Sequence, residues 1–210
     1  MINSLLSRSA ELESKLLEFM VLTPLDDSER IMASRVMCSV AFEHAKSVKI
    51  LISNGNLTSA TGLVRLQYEA LVRAMWLLYA ASDTEVSKLT SELTQEAADR
   101  ANNLPMLSAM LKKLQDKAPS EPVNMLFEFR EYSWKPLCSF LHGGIHAIYR
   151  HSKGYPLPLL EQMVRISNGV SIMVGMLLVI LHGGGEQRGK MPKIQREFAD
   201  CLPEIKSSIS

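Results

Sequence analysis

The stretch "LVRLQYEALVRAMWLLYAA", Leu63 to Ala81, is apolar around most of a helical circumference yet carries Arg65, Glu69 and Arg73. A helix of that kind is covered by neighbours on several sides, so the rest of the chain has to supply those neighbours. At about 100° per residue the three charges fall within roughly 80° of arc, and Trp76 shares their stripe. One face is therefore charged on an otherwise buried rod. Glu69 stands four residues from each arginine and can pair with both, which lowers the cost of enclosing them.

The covering elements are helical as well. Apolar residues recur at spacings of three and four along almost the whole chain, and no stretch sustains the alternation of a half-buried strand. The fold class is all-α: a single-domain helical bundle of about 7–9 helices with a central antiparallel pair of long ones. A first helix spans about Ser4 to Leu22, ended by Pro24, and Asp26 with Glu29 stand at capping-box spacing before a second. The second runs to Ser53, and "SNGN" turns it into the third, Leu57 to Ala81. Asp83 caps a polar fourth helix that continues through "TEVSKLTSELTQEAADRANN", and Pro105 and "KAPSEPV" bracket a shorter one. Two more cover Asn124 to Lys135 and Pro136 to His151, and a last long helix covers Leu159 to Leu181. The core is expected over roughly 28–182, with 183–210 a Gly-rich link and a short tail helix ending near Pro203.

The bulk numbers narrow the function classes. The chain has 210 residues, 47% hydrophobic and 21% charged, enough for one sizeable core. A net charge of +1 provides no global field for nucleic acid, so any polyanion has to be recognised by a local patch. Three widely spaced cysteines, Cys38, Cys138 and Cys201, suit neither a disulfide framework nor a zinc module and point to a reducing compartment. The opening "MINSLLSRSAELESKLLEF" lacks the apolar core of a signal peptide, so no export is expected. "VSIMVGMLLVILHGGG" holds an apolar run shorter than the roughly 20 residues a bilayer needs, which favours a buried core helix over a membrane span.

Three of the five histidines lie in "CSFLHGGIHAIYRH", Cys138 to His151. On a helix starting at Pro136, His142 and His146 share a stripe with Ser139 and Tyr149, beside an apolar stripe of Leu137, Leu141, Ile145 and Ile148. His151 points about 180° from His142. An HxxxH pair can ligate a metal, but neither HExxH nor ExxH accompanies it, so no metal ligand is assigned. A hydrogen-bonded histidine pair and acid–base chemistry remain as the other readings. Gly143 and Gly144 cost roughly 1 kcal/mol each inside a helix. Gly144 would then admit a neighbouring helix and Gly143 a ligand beside His142, unless the helix breaks there. Cys138 is either a nucleophile near His142 or a small core residue. "GGEQRGKM" from Gly184 has the spacing of a phosphate-binding loop, but Met191 stands where Ser or Thr would hold magnesium, and a helix-ending linker is the alternative.

On "GLVRLQYEALVRAMWLLYAASD" and "LCSFLHGGIHAIYRH" the chain resembles a bacterial family of uncharacterised, cytosolic, all-helical proteins, over roughly Phe42 to His151. Arg65, Glu69, Arg73, Trp76, His142 and Gly144 are the positions that look like its motif. The layout also resembles HEPN helical domains (higher eukaryotes and prokaryotes nucleotide-binding), many of which are metal-independent ribonucleases of bacterial defence and toxin systems. Those nucleases place Arg and His on one helix with four to six residues between them, and here Lys135, with six residues before His142, is the only near match. The resemblance thus implies a site that unites two helices: Arg65, Glu69 and His142 as catalytic residues, with Arg73, His146, Tyr149 and Trp76 binding. No cofactor is expected, the setting is expected to be cytoplasmic without membrane contact, and the expected partners are RNA or another protein and a second copy of the chain in a homo-oligomer, a dimer. A non-catalytic module, antitoxin or assembly partner, with a structural ion-pair ladder is the alternative, and a metal-binding bundle the third.

Overall fold

A computed structural model describes residues 2–204; the end of the expected tail, 205–210, lies outside the described residues. The elements are α1 (Ile2–Leu17), a 3₁₀ turn (Glu18–Val21), α2 (Glu29–Ser53), α3 (Leu57–Tyr79), α4 (Asp83–Thr90), α5 (Gln95–Ala101), α6 (Leu107–Gln115), α7 (Ser120–Leu141), α8 (Ile145–Lys153), α9 (Leu157–Leu181), a second 3₁₀ turn (Gly185–Gly189), α10 (Lys190–Glu197) and a closing 3₁₀ turn (Ala199–Cys201). Among the described residues there is no strand.

Burial explains the arrangement. α3 packs on α2, α6, α7 and α9, and its Tyr68, Leu71, Trp76 and Leu77 are buried, as the all-round apolar pattern requires. α2 and α3 form the expected antiparallel pair, joined through Gly55 at φ +77°. α9 is apolar enough to cross a membrane by length and composition, but 67% of its most apolar window is buried against the rest of the fold. Its polar residues are satisfied inside: the Gln67 amide donates to the Ser167 carbonyl at 2.9 Å, and Asn168 donates to Ser9 Oγ at 2.7 Å and to the Cys201 carbonyl at 2.9 Å. Each removes a desolvation cost of about 1–3 kcal/mol that an unpaired buried group would carry.

The boundaries differ from the expectations in instructive places. α2 is capped by Ser28, whose Oγ accepts from the Ile31 N–H, while Asp26 accepts the Ser28 N–H at 2.9 Å. The polar fourth helix is two: Ser82, not Asp83, caps α4 in a capping box with Glu85, and Thr94 caps a new start for α5. The sequence also suggested a boundary at Pro136, yet α7 runs straight through it to Leu141, held down by the burial of Leu137 and Phe140. The proline penalty of about 3 kcal/mol is a prior that such packing overrides. The chain instead breaks at Gly143.

In the "GGEQRGKM" stretch, the Arg188 side chain lies so close over Gly184 that an added Cβ would sit 2.3 Å from its Nε, and no strand leads into the turn among the described residues. That loop is the helix-ending linker.

All three cysteines are free, two of them buried and one half-buried. Burial pushes the Cys38 thiol up to about 12 against the pull of Arg35, and burial together with Asp200 pushes Cys201 up to about 11, whereas Cys138 is half-buried. Thiolate is the reacting species. A disulfide-exchange reagent at pH 8 is therefore expected to titrate one fast thiol in the native protein, lost in Cys138→Ser, and three after denaturation.

Candidate functional site

The site begins with how α7 ends. His142 is its C-cap, Gly143 follows at φ +66°, and the Gly144 N–H donates back to the Ser139 carbonyl at 2.7 Å. That is a Schellman ending, in which a left-handed residue satisfies the last carbonyls and glycine pays no Cβ penalty. Ser139 Oγ then accepts the His146 N–H at 3.0 Å, which holds the first turn of α8. The stop leaves His142 at the end of α7, facing the middle of α3.

Arg65 on α3 is held in three directions. Its Nε donates to Glu69 Oε1 at 2.7 Å, its Nη1 lies 3.0 Å from His142 Nε2, and its Cζ sits 4.3 Å from the centroid of the Trp134 ring. Trp134 meets Tyr68 edge-on at 6.0 Å, and Tyr68 stacks on Phe129 at 4.2 Å. The Trp134 ring therefore backs the guanidinium, a cation–π contact worth about 0.5–2 kcal/mol, and Tyr68 and Phe129 stand behind that ring. Burial pushes the Tyr68 hydroxyl well up, with Arg130 working against it, and that hydroxyl donates to the Leu126 carbonyl at 2.8 Å. Tyr68 is a fixed donor in the wall of the site.

The chemistry follows from donor counting. A guanidinium only donates, so His142 Nε2 has to accept, which makes the ring neutral with its proton on Nδ1. The Arg65 side chain is 15% exposed and Glu69 32%, while His142 is open to solvent. The group thus offers a positioned cation, a carboxylate and an imidazole at one mouth.

The other candidates fall elsewhere. Arg73 is half-buried one turn beyond Glu69, but Glu69 pairs with Arg65, so the two-sided ladder is formed on one side. Trp76 is fully buried with its ring 5.9 Å from Lys113 Nζ, so it belongs to the core and does not line the site. His146 and Tyr149 lie beyond the glycine break on α8 and make no hydrogen bond to Arg65, Glu69 or His142; the His146 ring faces Phe140 at 5.8 Å. The two histidines share no stripe because they share no helix. Ile145 and Ile148, expected in the core, are 76% and 68% exposed for the same reason. Gly144 abuts Ser139 of its own turn, where a Cβ would meet Oγ at 2.6 Å, and admits no neighbouring helix.

Trp134 and the Phe129–Tyr68 stack escaped sequence reading, because aromatic residues on a half-buried helix look alike until the facing helix is known. No group of three or more His, Cys, Asp or Glu side chains among the described residues could hold a metal ion.

A family model, described as a family of unknown function (DUF6988), matches residues 38–204, a span that includes Arg65, Glu69, Trp134 and His142. No curated protein and no solved structure matches the chain.

The enforced tautomer is measurable. Nitrogen-15 correlation spectra of the imidazoles above pH 8 are expected to show His142 protonated at Nδ1 with Nε2 bare, and Arg65→Met is expected to return it to the Nε2–H form of a free side chain. A wild-type ring already in the Nε2–H form would contradict the geometry.

Proposed function

The chain belongs to the DUF6988 family of unknown function, and on that premise we propose that it is a metal-independent ribonuclease of a bacterial defence or toxin system, acting in the cytoplasm through Arg65, Glu69 and His142. The observation that carries the reading is the 3.0 Å approach of Arg65 Nη1 to His142 Nε2 across two helices, with Glu69 fixing the other edge of the guanidinium. Cation and base must reach one phosphate, and these two side chains already touch.

In the reaction, a phosphate entering the mouth draws the Nη groups of Arg65 while Nε stays on Glu69. Losing that donor frees the lone pair of His142 Nε2. The imidazole takes the proton of the ribose 2′-hydroxyl as its oxygen attacks phosphorus, and the bond to the 5′-oxygen breaks. The same imidazole then returns the proton to that oxygen. The products are a 2′,3′-cyclic phosphate and a 5′-hydroxyl, with no water consumed. Arg65 offsets the charge that builds on the phosphorane, and Arg73, two turns and about 12 Å further along α3, meets a neighbouring phosphate of the strand.

Expression in a bacterial host is expected to arrest growth with cleaved cellular RNA, and purified protein to cleave single-stranded RNA in the presence of a chelator. His142→Ala should lose about 10²–10⁴-fold and Arg65→Ala about 10²–10³-fold in rate, with folding checked by circular dichroism. Intact RNA and normal growth at high expression would overturn the reading.

One observation favours a second reading, a non-catalytic module that pairs with another copy of itself. α8 presents Ile145, Ile148 and Tyr149 on one exposed face, and apolar strips of this kind are covered in assemblies. α8 ends in Arg150, His151 and Lys153, while α7 exposes Glu128 and Glu131, so a two-fold pairing can set opposite charges together. Sedimentation is expected to show a dimer that Ile148→Asp converts to a folded monomer; a wild-type monomer at high micromolar concentration would remove this reading.

A further inference from the structure

A second polar cluster lies on the same face of α3 as Arg65. Thr58 precedes Arg65 by seven residues, which places it about 20° away around the helix and about 10 Å along it. Its Oγ1 is 2.9 Å from the Tyr155 hydroxyl and 3.3 Å from His151 Nδ1. Gly154, at φ +88°, reverses the chain so that Tyr155 returns to α3. These residues open a cavity of about 330 Å³, lined by Asn56, Thr58, Ser59, Arg150, His151 and Tyr155. No carboxylate lines it, and Arg150 makes no ion pair among the described residues; its contact is the Tyr149 ring at 5.5 Å. Between the cavity and Arg65, the exposed side chain of Leu141 rests on Gly62, where an added Cβ would be 3.4 Å from its Cδ1.

We propose that this cavity is a second phosphate subsite, taking the backbone phosphate of single-stranded RNA about three nucleotides from the one held at Arg65. The inference rests on the ribonuclease reading and extends it to the substrate's length. A stacked strand advances about 3.4 Å per nucleotide, so about 10 Å corresponds to three steps. Arg150 supplies the charge, the Thr58 and Tyr155 hydroxyls donate, and the volume admits a phosphate with its ribose. Leu141 between the two sites offers an apolar step for an intervening base.

The test uses the full chain and uncleavable 2′-O-methyl RNA followed by fluorescence anisotropy. Arg150→Ala is expected to weaken an eight-nucleotide strand about tenfold and to lower the salt slope by about one ion, while leaving cleavage of an unmodified dinucleotide, too short to span both sites, unchanged. Arg150→Lys, which keeps the charge, should retain most of the affinity. Unchanged octamer affinity in Arg150→Ala, or equal losses for octamer and dinucleotide, would overturn the subsite. Octamer binding that depends on Arg150 without any RNA cleavage would instead sink the catalytic reading and leave the subsite standing. Inorganic phosphate gives the last arm: if it shifts the His151 ring resonances while no RNA binds, the cavity takes free phosphate and the RNA assignment is wrong.

Discussion

Everything in this fold depends on having to bury α3. A helix of 23 residues that is apolar on most sides is unstable in water, and its exposure is relieved only when α2, α6, α7 and α9 close around it. The charged stripe cannot be enclosed in the same way. Arg65 and Glu69 stay partly exposed, and the remaining desolvation is offset by their own pairing and by the aromatic wall of α7. The packing that buries the rest of α3 thus leaves a polar opening at Arg65 and Glu69, and the candidate site is that opening.

The second constraint is the glycine stop after His142. Had α7 continued, His142 would have been one of several side chains along a helical flank, in line with His146. The left-handed turn at Gly143 separates them, so His142 reaches Arg65 while α8 carries His146 and Tyr149 away and brings His151 to Thr58. A non-glycine residue at that φ would be strained, and the cost of moving the turn by one residue would be the Arg65 contact itself. A local backbone preference therefore places an imidazole within hydrogen-bond distance of a guanidinium on another helix.

Much of this was legible beforehand. The three- and four-residue periodicity reports burial directly, so the helical class, the α2–α3 hairpin and the core role of α9 could be read from it. The stripe of Arg65 and Glu69 could be read too, because it depends only on helix geometry. Boundaries were less legible: Pro136 looked like a start and proved to be an interior residue, since the burial of Leu137 and Phe140 outweighs its local penalty. Trp76 shared the charged stripe by angle but not by environment, because angle says nothing about how far a neighbouring helix extends over it.

The amino-acid sequence by itself determined the helical class, that the long apolar helices α3 and α9 must be covered, and that charges sit on one side of a buried helix. Those properties come from near neighbours along the chain, at spacings of three, four and seven residues. Only the tertiary structure decided that His142 meets Arg65, that Trp134 backs the guanidinium, and that Thr58, His151 and Tyr155 form a second cluster beyond it. These contacts join residues separated by about 70 to 100 positions, and such pairings are set by how whole helices pack, a global minimum that no local pattern encodes.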